Sequence, residues 1–249
     1  MPENRAESAP SSATPDPTAP AARLAAVRGR LAAAAAAAAA GRDVAGITLV
    51  AVSKTQPAAA VAALADLGQR DFGENYLQEA LPKIDALRAR GLVWHYIGQL
   101  QSNKTRPVAE QFDWVHTVDR IKLVERLAAQ RPFHAPPLNV CVQVKLGDEA
   151  TKGGADPGAL PALLAAVAAA PRLRLRGLMA LPPEETDPAR QRRWFAELAA
   201  LAATARLAHP GLDTLSIGMS GDLEAAVAEG ATMVRIGTAL FGERLQSGA

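Results

Sequence analysis

Residues 47–67, with the sequence ITLVAVSKTQPAAAVAALADL, contain one complete strand–helix unit. The first six residues are apolar or β-branched and predict a short buried strand. Polar residues follow at 53–56, and Pro57 then opens an alanine- and leucine-rich run that favours helix. This order predicts a β/α unit whose strand pairs in parallel with the strand of the next unit.

The same unit recurs along the chain. Eight short apolar runs alternate with segments that favour helix, which requires a parallel sheet with right-handed crossovers. An open doubly wound sheet also shows this alternation, but eight units within 249 residues favour the α/β fold of a single closed (β/α)8 barrel, the TIM barrel. The predicted strands are 47–52, 72–73, 93–97, 114–117, 138–146, 173–179, 214–217 and 232–236.

The chain before the first unit divides into a tail and a helix. Residues 1–20 contain five prolines among serines and alanines, and they cannot bury enough surface to offset the entropy of ordering. We therefore predict a disordered tail over residues 1–20 and one barrel domain over residues 21–249. The domain begins with an extra N-terminal helix, in which Leu24, Val27 and Leu31 share one face.

The composition argues against several classes of function. The 27 basic and 25 acidic residues are spread along the chain and give a net charge of +2, so we expect no surface for nucleic acid or an anionic membrane. No apolar run is long enough to span a bilayer. The single cysteine, Cys141, excludes an internal disulfide and fits a reducing compartment. We expect a cytoplasmic protein in which Cys141 is a buried side chain.

A lysine follows the first predicted strand. The active face of a (β/α)8 barrel lies at the carboxyl ends of its strands, and Lys54 occupies that place in Ser53-Lys54-Thr55. Partial desolvation lowers the cost of deprotonating the amine, and a neutral amine attacks an aldehyde to form a Schiff base. Alternatively, Lys54 only extends along the rim to reach water. On this residue alone the alternative is favoured.

The loops after the last two strands supply partners for Lys54. Gly218-Met219-Ser220-Gly221 follows strand seven and Gly237-Thr238 follows strand eight, the two loops in which this fold recurrently binds phosphate. Small residues let the backbone approach an anion, and the two hydroxyls donate to it. Ordinary helix caps are the alternative. A Schiff-base lysine beside a phosphate site fits pyridoxal 5′-phosphate (PLP), or a phosphorylated aldehyde or ketone.

Other polar residues near the predicted strand ends each have two interpretations. Arg235 faces a pyridine nitrogen, which it would keep unprotonated, or forms a salt bridge inside the barrel. Asn75 contacts the cofactor or caps the next helix. His95 and His116 lack metal-ligand spacing, so we interpret them as hydrogen-bonded core histidines and predict no metal site. Lys152 is a second amine at the rim or, as the sequence favours, a solvated loop lysine.

Seven segments match one family in order and with compatible spacing: VAVSKT (50–55), FGENY (72–76), WHYIG (94–98), LQSNK (100–104), GLMA (177–180), GMS (218–220) and MVRIGT (233–238). They resemble the YggS/PROSC family of PLP homeostasis proteins, which is related to the N-terminal barrel of alanine racemase. The resemblance covers residues 45–245. The chain departs from the family at Gln99, where a proline is common, and at Gly221, where an acidic residue is frequent.

The resemblance implies a PLP carrier without established catalysis, and hence no catalytic residues. It also implies apo PLP-dependent enzymes as recipients of the cofactor. Family members lack the second domain that supplies the opposing base of alanine racemase, and we expect none here because the chain ends soon after the predicted barrel. The implied cofactor-binding residues are Lys54 as the Schiff-base lysine, Asn75, Ser220, Arg235 at the pyridine nitrogen, Gly237 and Thr238.

The leading hypothesis is therefore a monomeric cytoplasmic protein that buffers or delivers PLP. One alternative is a PLP-dependent amino-acid racemase that uses Lys54 with water or a barrel residue. A second is an aldolase whose Schiff base forms directly with a phosphorylated sugar, and a third is a scaffold without a ligand. Near-visible absorbance and exchange of the substrate α-proton in deuterated water separate these functions.

Overall fold

The computed structural model describes residues 19–38, 41–147 and 153–242. Its strands are β1 (Thr48–Val52), β2 (Asp71–Glu74), β3 (Val93–Tyr96), β4 (Trp114–Val118), β5 (Leu138–Gln143), β6 (Leu173–Met179), β7 (Thr214–Ser216) and β8 (Met233–Ile236). Each strand pairs in parallel with the next in chain order, and β1 closes the ring by pairing with β8. This topology confirms the predicted (β/α)8 barrel and excludes the open sheet.

Helices cover the outside of the barrel. They are α1 (Ala19–Ala37), α2 (Ala58–Asp66), α3 (Leu77–Ala86), α4 (Thr105–Gln111), α5 (Ile121–Gln130), α6 (Leu160–Ala169), α7 (Pro188–Ala208), α8 (Leu223–Ala228) and α9 (Thr238–Phe241). The extra helix α1 begins at Ala19, two residues before the predicted domain boundary, and the predicted tail over residues 1–18 lies outside the described residues. None of the helices that the structure describes combines the length and apolarity needed to cross a membrane.

The strands separate an inner face from an outer face because successive side chains point to opposite sides. The large apolar cluster joins strand residues such as Leu49 to helix residues such as Leu64 of α2, so it lies outside the barrel. A smaller cluster contributed by β1, β4, β5, β6 and β8 fills the inside: Val50, Trp114, Cys141, Met179 and Met233. Arg235 is in register with Val50 and therefore also faces inward.

Helix α1 buries the predicted face of Leu24, Val27 and Leu31 against the barrel. Two of its arginines reach the loops at the carboxyl end of the sheet. Arg30 donates to the backbone oxygen of Ser220 at 3.1 Å, and Arg23 donates to that of Leu240 at 2.7 Å. The extra helix therefore supports the loops after β7 and β8 from outside.

Among the strands, β5 and β2 differ most from the sequence prediction, and one helix was not predicted. β5 ends at Gln143 rather than at residue 146, because Val144 makes only an isolated bridge to Ala155 in the loop that follows. β2 extends beyond the predicted 72–73 to Asp71–Glu74. The short helix α9 follows β8 directly, although the predicted series ended with that strand.

Candidate cofactor site

The turn after β1 carries Lys54, whose side chain is half-buried between buried Ser53 and exposed Thr55. Thr55 has a φ of 64°, and it is the one non-glycine residue with a positive φ among those described. A left-handed conformation costs an L-residue roughly 1–2 kcal/mol. Contacts from neighbouring elements must therefore hold this turn in place.

A buried ion pair provides the first of those contacts. Lys83 Nζ on α3 donates to Glu74 Oε1 and to the backbone oxygen of Ser53, both at 2.8 Å. The Ser53 hydroxyl donates to the same Glu74 oxygen at 2.6 Å. Glu74 is fully buried and Lys83 nearly so. Burial raises the pKa of the Glu74 carboxyl, against the lowering effect of its hydrogen bonds from Lys83 and Ser53.

A second carboxylate holds the other side of the turn. Glu79 Oε2 accepts a hydrogen bond from the backbone amide of Thr55 at 2.7 Å and lies 3.9 Å from Lys83 Nζ. We call Glu74, Glu79 and Lys83 the turn clamp. The clamp was not predicted from the sequence, although Lys83 lies three residues after Ala80 on the buried face of α3 and four residues before the buried Leu87. That spacing was the available signal.

Asn75 follows β2 and lies next to the turn in the barrel. The predicted alternative, a cap for α3, is wrong because Tyr76 occupies the N-cap position and no side-chain cap bond forms there. Asn75 Oδ1 is buried without a hydrogen-bond partner among the described residues. The neighbouring Gly98 packs so tightly that an added Cβ would lie 2.1 Å from the Asn75 backbone oxygen. The backbone of Asn75 is therefore fixed, while its side-chain oxygen can still accept a hydrogen bond.

The loops after β7 and β8 meet each other and approach the turn after β1. The Arg235 amide donates to the backbone oxygen of Gly218 at 2.9 Å, which ties the two loops together. A Cβ at Gly237 would lie 3.4 Å from the backbone oxygen of Val52, the last residue of β1. Gly237 and the exposed Thr238 therefore lie beside the strand end that leads into Lys54.

Neither α8 nor α9 begins with a side-chain cap. α8 has no side-chain cap at its N-cap residue Asp222, whose carboxylate instead accepts a hydrogen bond from the amide of Met219. α9 follows Gly237, which has no side chain to act as a cap. Ser220 lies between Met219 and Asp222 and is half-buried. The cap interpretation of Ser220 and Asp222 is thus not what the structure shows.

Arg235 is buried inside the barrel next to these loops. Its Nη1 donates to the backbone oxygen and hydroxyl of Ser216 at 2.6 and 2.7 Å, and its Nη2 donates to the backbone oxygen of Ala180 at 3.1 Å. These partners are neutral, so the described residues do not support the salt-bridge interpretation. Burial lowers the pKa of the guanidinium to about 10, which leaves it protonated at neutral pH.

The remaining predictions concern residues away from the turn. His95 and His116 are fully buried and hydrogen-bonded, as predicted for core histidines. The described residues contain no group of three or more His, Cys, Asp or Glu side chains able to hold a metal ion. Cys141 is buried as predicted, and burial raises the pKa of its thiol to about 12. Lys152 lies outside the described residues.

Comparison with known proteins identifies the relatives of this barrel. Residues 23–245 match the family model described as the alanine racemase N-terminal domain. The chain is 59% identical over 204 residues to a pyridoxal phosphate homeostasis protein of Pseudomonas aeruginosa, covering 82% of this chain and 87% of that protein. It is 53% identical over 224 residues to the protein of the same description from Escherichia coli, covering 89% and 95%.

Solved structures agree with these matches. PipY of Synechococcus elongatus, with PLP bound, is 40% identical, has a TM-score of 0.78, and is covered completely by 90% of this chain. Alanine racemase of Corynebacterium glutamicum is 19% identical with a TM-score of 0.65, and the match covers 92% of this chain and 63% of the racemase. At that identity the racemase shares the fold alone.

Proposed function

This chain belongs to the family of pyridoxal phosphate homeostasis proteins (YggS/PROSC), and we propose that it binds PLP at the carboxyl end of its barrel and acts in PLP homeostasis. One observation carries the proposal. The Lys54 turn, clamped from α3, lies beside the Gly237 loop, where a Cβ added at Gly237 would contact the Val52 backbone oxygen. A lysine and an uncapped glycine loop thus share one rim of the barrel.

The chemistry of the polar groups at this rim fits PLP. The buried Asn75 oxygen lacks a partner, and an unpaired buried amide costs roughly 1–3 kcal/mol unless a ligand completes it. Because an amide offers both a donor and an acceptor, Asn75 suits a ring hydroxyl or its oxyanion. The amides and hydroxyls around Ser220, Gly237 and Thr238 suit a phosphate group. The amine, the amide and the anion site therefore match three separate groups of one cofactor.

When bound, PLP supplies an aldehyde for condensation with an amine and a pyridine ring that withdraws electrons. We propose that Lys54 Nζ forms the Schiff base: the amine nitrogen bonds to the aldehyde carbon, and the aldehyde oxygen leaves as water. The turn clamp fixes the backbone on both sides of Lys54, with Lys83 on Ser53 and Glu79 on Thr55. These bonds orient the lysine stem before the cofactor arrives.

We further propose that the protein stores and delivers the cofactor without catalysing a reaction of its own. Arg235 supports this role, since a guanidinium beside the pyridine nitrogen cannot give up its proton easily and leaves that nitrogen unprotonated. An unprotonated ring is a weaker electron sink for carbanion chemistry. Under this proposal the recipients are apo PLP-dependent enzymes.

Two measurements test the proposal. After removal of free PLP, the loaded protein should retain a near-visible absorbance band that Lys54→Arg lacks, and it should restore activity to an apo-aminotransferase. Alanine in deuterated water should show no α-proton exchange above the level given by free PLP. Absence of the band in the unmodified protein would contradict PLP binding through Lys54. Exchange that depends on Lys54 would instead establish a racemase-type activity.

A further inference from the structure

A chain of hydrogen bonds crosses the barrel interior and ends at Arg235. Arg235 Nη1 donates to Ser216 Oγ at 2.7 Å, and that oxygen lies 2.8 Å from His116 Nδ1. His116 Nε2 lies 2.9 Å from His95 Nδ1, and His95 Nε2 lies 3.0 Å from Asp71 Oδ1. We call these five residues the interior relay. All are buried except Asp71, whose side chain is 27% exposed at the start of β2.

The two ends of the relay determine the direction of every bond in it. A guanidinium can only donate and a carboxylate can only accept. Since Arg235 donates to Ser216 Oγ, the serine hydroxyl is able to donate its single proton to His116 Nδ1. His116 then donates from Nε2 to His95 Nδ1, and His95 donates from Nε2 to Asp71. With both imidazoles neutral, each link holds one proton and each ring carries its proton on Nε2.

An added proton would reverse the relay. A charged His95 carries a proton on Nδ1, so two N–H donors, His95 Nδ1 and His116 Nε2, would face each other. His116 would have to move its proton to Nδ1, and the Ser216 hydroxyl would have to turn away from it. The added proton could not pass on to His116, because burial lowers the pKa of His116 well below its usual 6.5 and the charge of Arg235 lowers it further.

We propose that His95 and His116 are positioning residues for Arg235, because the relay fixes the Ser216 hydroxyl that holds the guanidinium. The proposal rests on the proposed function, in which Arg235 faces the pyridine nitrogen of PLP. Ser216 accepts two of the three hydrogen bonds that the guanidinium donates to described residues, through its backbone oxygen and its hydroxyl. Through the relay, side chains on β7, β4, β3 and β2 therefore fix the orientation of the guanidinium on β8.

The other ionisable groups near the relay do not compete with it between pH 6 and 8. Cys141 on β5 lies on the same inner face, and its thiol stays neutral because burial raises its pKa to about 12. Arg176 on β6 pairs with Asp213 at 2.9 Å, so their charges offset each other.

The first test uses the apo protein and needs no cofactor. Imidazole ¹⁵N–¹H correlation spectra of the full chain should show His95 and His116 neutral, with the proton on Nε2, from pH 6 to 8. In Ser216→Ala, His116 loses the donor at Nδ1 but keeps its acceptor, His95 Nδ1, so its proton should stay on Nε2 while its Nδ1 resonance shifts toward that of a nitrogen without a hydrogen bond. An Nδ1–H tautomer or an imidazolium at either residue at pH 7 in the unmodified protein would overturn the proposal.

The second test measures how substitutions in the relay affect ligand binding at the cofactor site. Pyridoxamine 5′-phosphate shares the ring and phosphate of PLP but cannot condense with Lys54, so its affinity isolates the ring contacts. Ser216→Ala and His116→Phe should each weaken its binding five- to tenfold, while His134→Phe, at an exposed histidine, should not. Unchanged affinity in Ser216→Ala would refute the positioning role even if His116→Phe fails to fold. Failure of the unmodified protein to bind would refute the proposed function instead, and the tautomer result would stand.

Discussion

Replacing Lys83 by methionine tests the turn clamp most sharply. The substitution keeps the length and apolar stem of the side chain but removes the ammonium group bound to Glu74 Oε1 and the Ser53 backbone oxygen. The two side chains of the pair are 8% and 0% exposed. Because the pair is buried, removing one partner should cost about 3–5 kcal/mol of unfolding free energy. For a domain of this size that corresponds to a melting temperature lower by about 6–20 °C.

The cost should depend on pH with a defined sign. Burial already raises the pKa of Glu74 in the folded protein above its ordinary 4.5, so its contribution to stability is largest at acid pH and is lost as pH rises through the folded value. In Lys83→Met the lowering effect of the ammonium disappears, and the pKa rises further. Glu74 can then bind a proton, which avoids burying an unpaired charge. The free-energy cost of binding that proton is about 1.4 kcal/mol for each unit by which the pH exceeds its pKa. The destabilisation should therefore be smaller at pH 5 than at pH 8.

Urea unfolding of the apo protein, followed by far-ultraviolet circular dichroism at pH 5 and pH 8, measures both effects. Lys122→Met is the matched control, because Lys122 is exposed on α5 and should change stability by less than about 0.5 kcal/mol. Adding Glu74→Gln to Lys83→Met removes the buried charge and should recover part of the loss. A cost below about 1 kcal/mol, or an equal cost at both pH values, would refute the buried ion-pair account.

Three further predictions follow from single sites. The Cys141 thiol should not react with an aromatic disulfide reagent at pH 8 until the protein unfolds, because burial raises its pKa to about 12; fast labelling of the folded protein would contradict this. Gly177→Ala should cost at least about 3 kcal/mol, measured by thermal unfolding, since a Cβ there would lie 1.7 Å from the Thr214 backbone oxygen. Gly158→Ala is its control, with open space at that Cβ, and equal losses would argue against the packing reason. Asn75→Ala should leave apo stability unchanged or higher and weaken PLP binding about three- to tenfold in a fluorescence titration, because the unpaired amide matters only when a ligand completes it; a less stable apo protein with unchanged affinity would reverse its assigned role.

The barrel was predictable because its signal is local. Each apolar run and the helix after it lie within one stretch such as residues 47–67, and eight repeats leave few topologies. The position of Lys54 at a strand end, and of Gly237 in the last loop, follows from that count alone. The closing of β1 on β8 then brings those two places together without any further signal in the sequence.

The supporting polar groups were not predictable in the same way. Lys83 is one charged residue on an otherwise apolar helix face, and only the placement of Glu74 on the adjoining strand gives it a partner. His116 and Ser216 are 100 residues apart in the chain, so their bond depends on how the side chains of β4 and β7 meet inside the barrel. The neutral partners of Arg235 likewise depend on β6 and β7. Long-range register, which the sequence pattern does not encode, decides each of these contacts.

The identity of the lysine that binds PLP tests the central claim most directly. The chain contains six lysines, so the outcome is not trivial. The protein is loaded with PLP, reduced with borohydride, digested and analysed by mass spectrometry for the stable pyridoxyl adduct. We expect the adduct on Lys54 in near-stoichiometric yield and its loss in Lys54→Ala. An adduct mainly on another lysine, or no adduct in a protein that shows native circular dichroism, would contradict it.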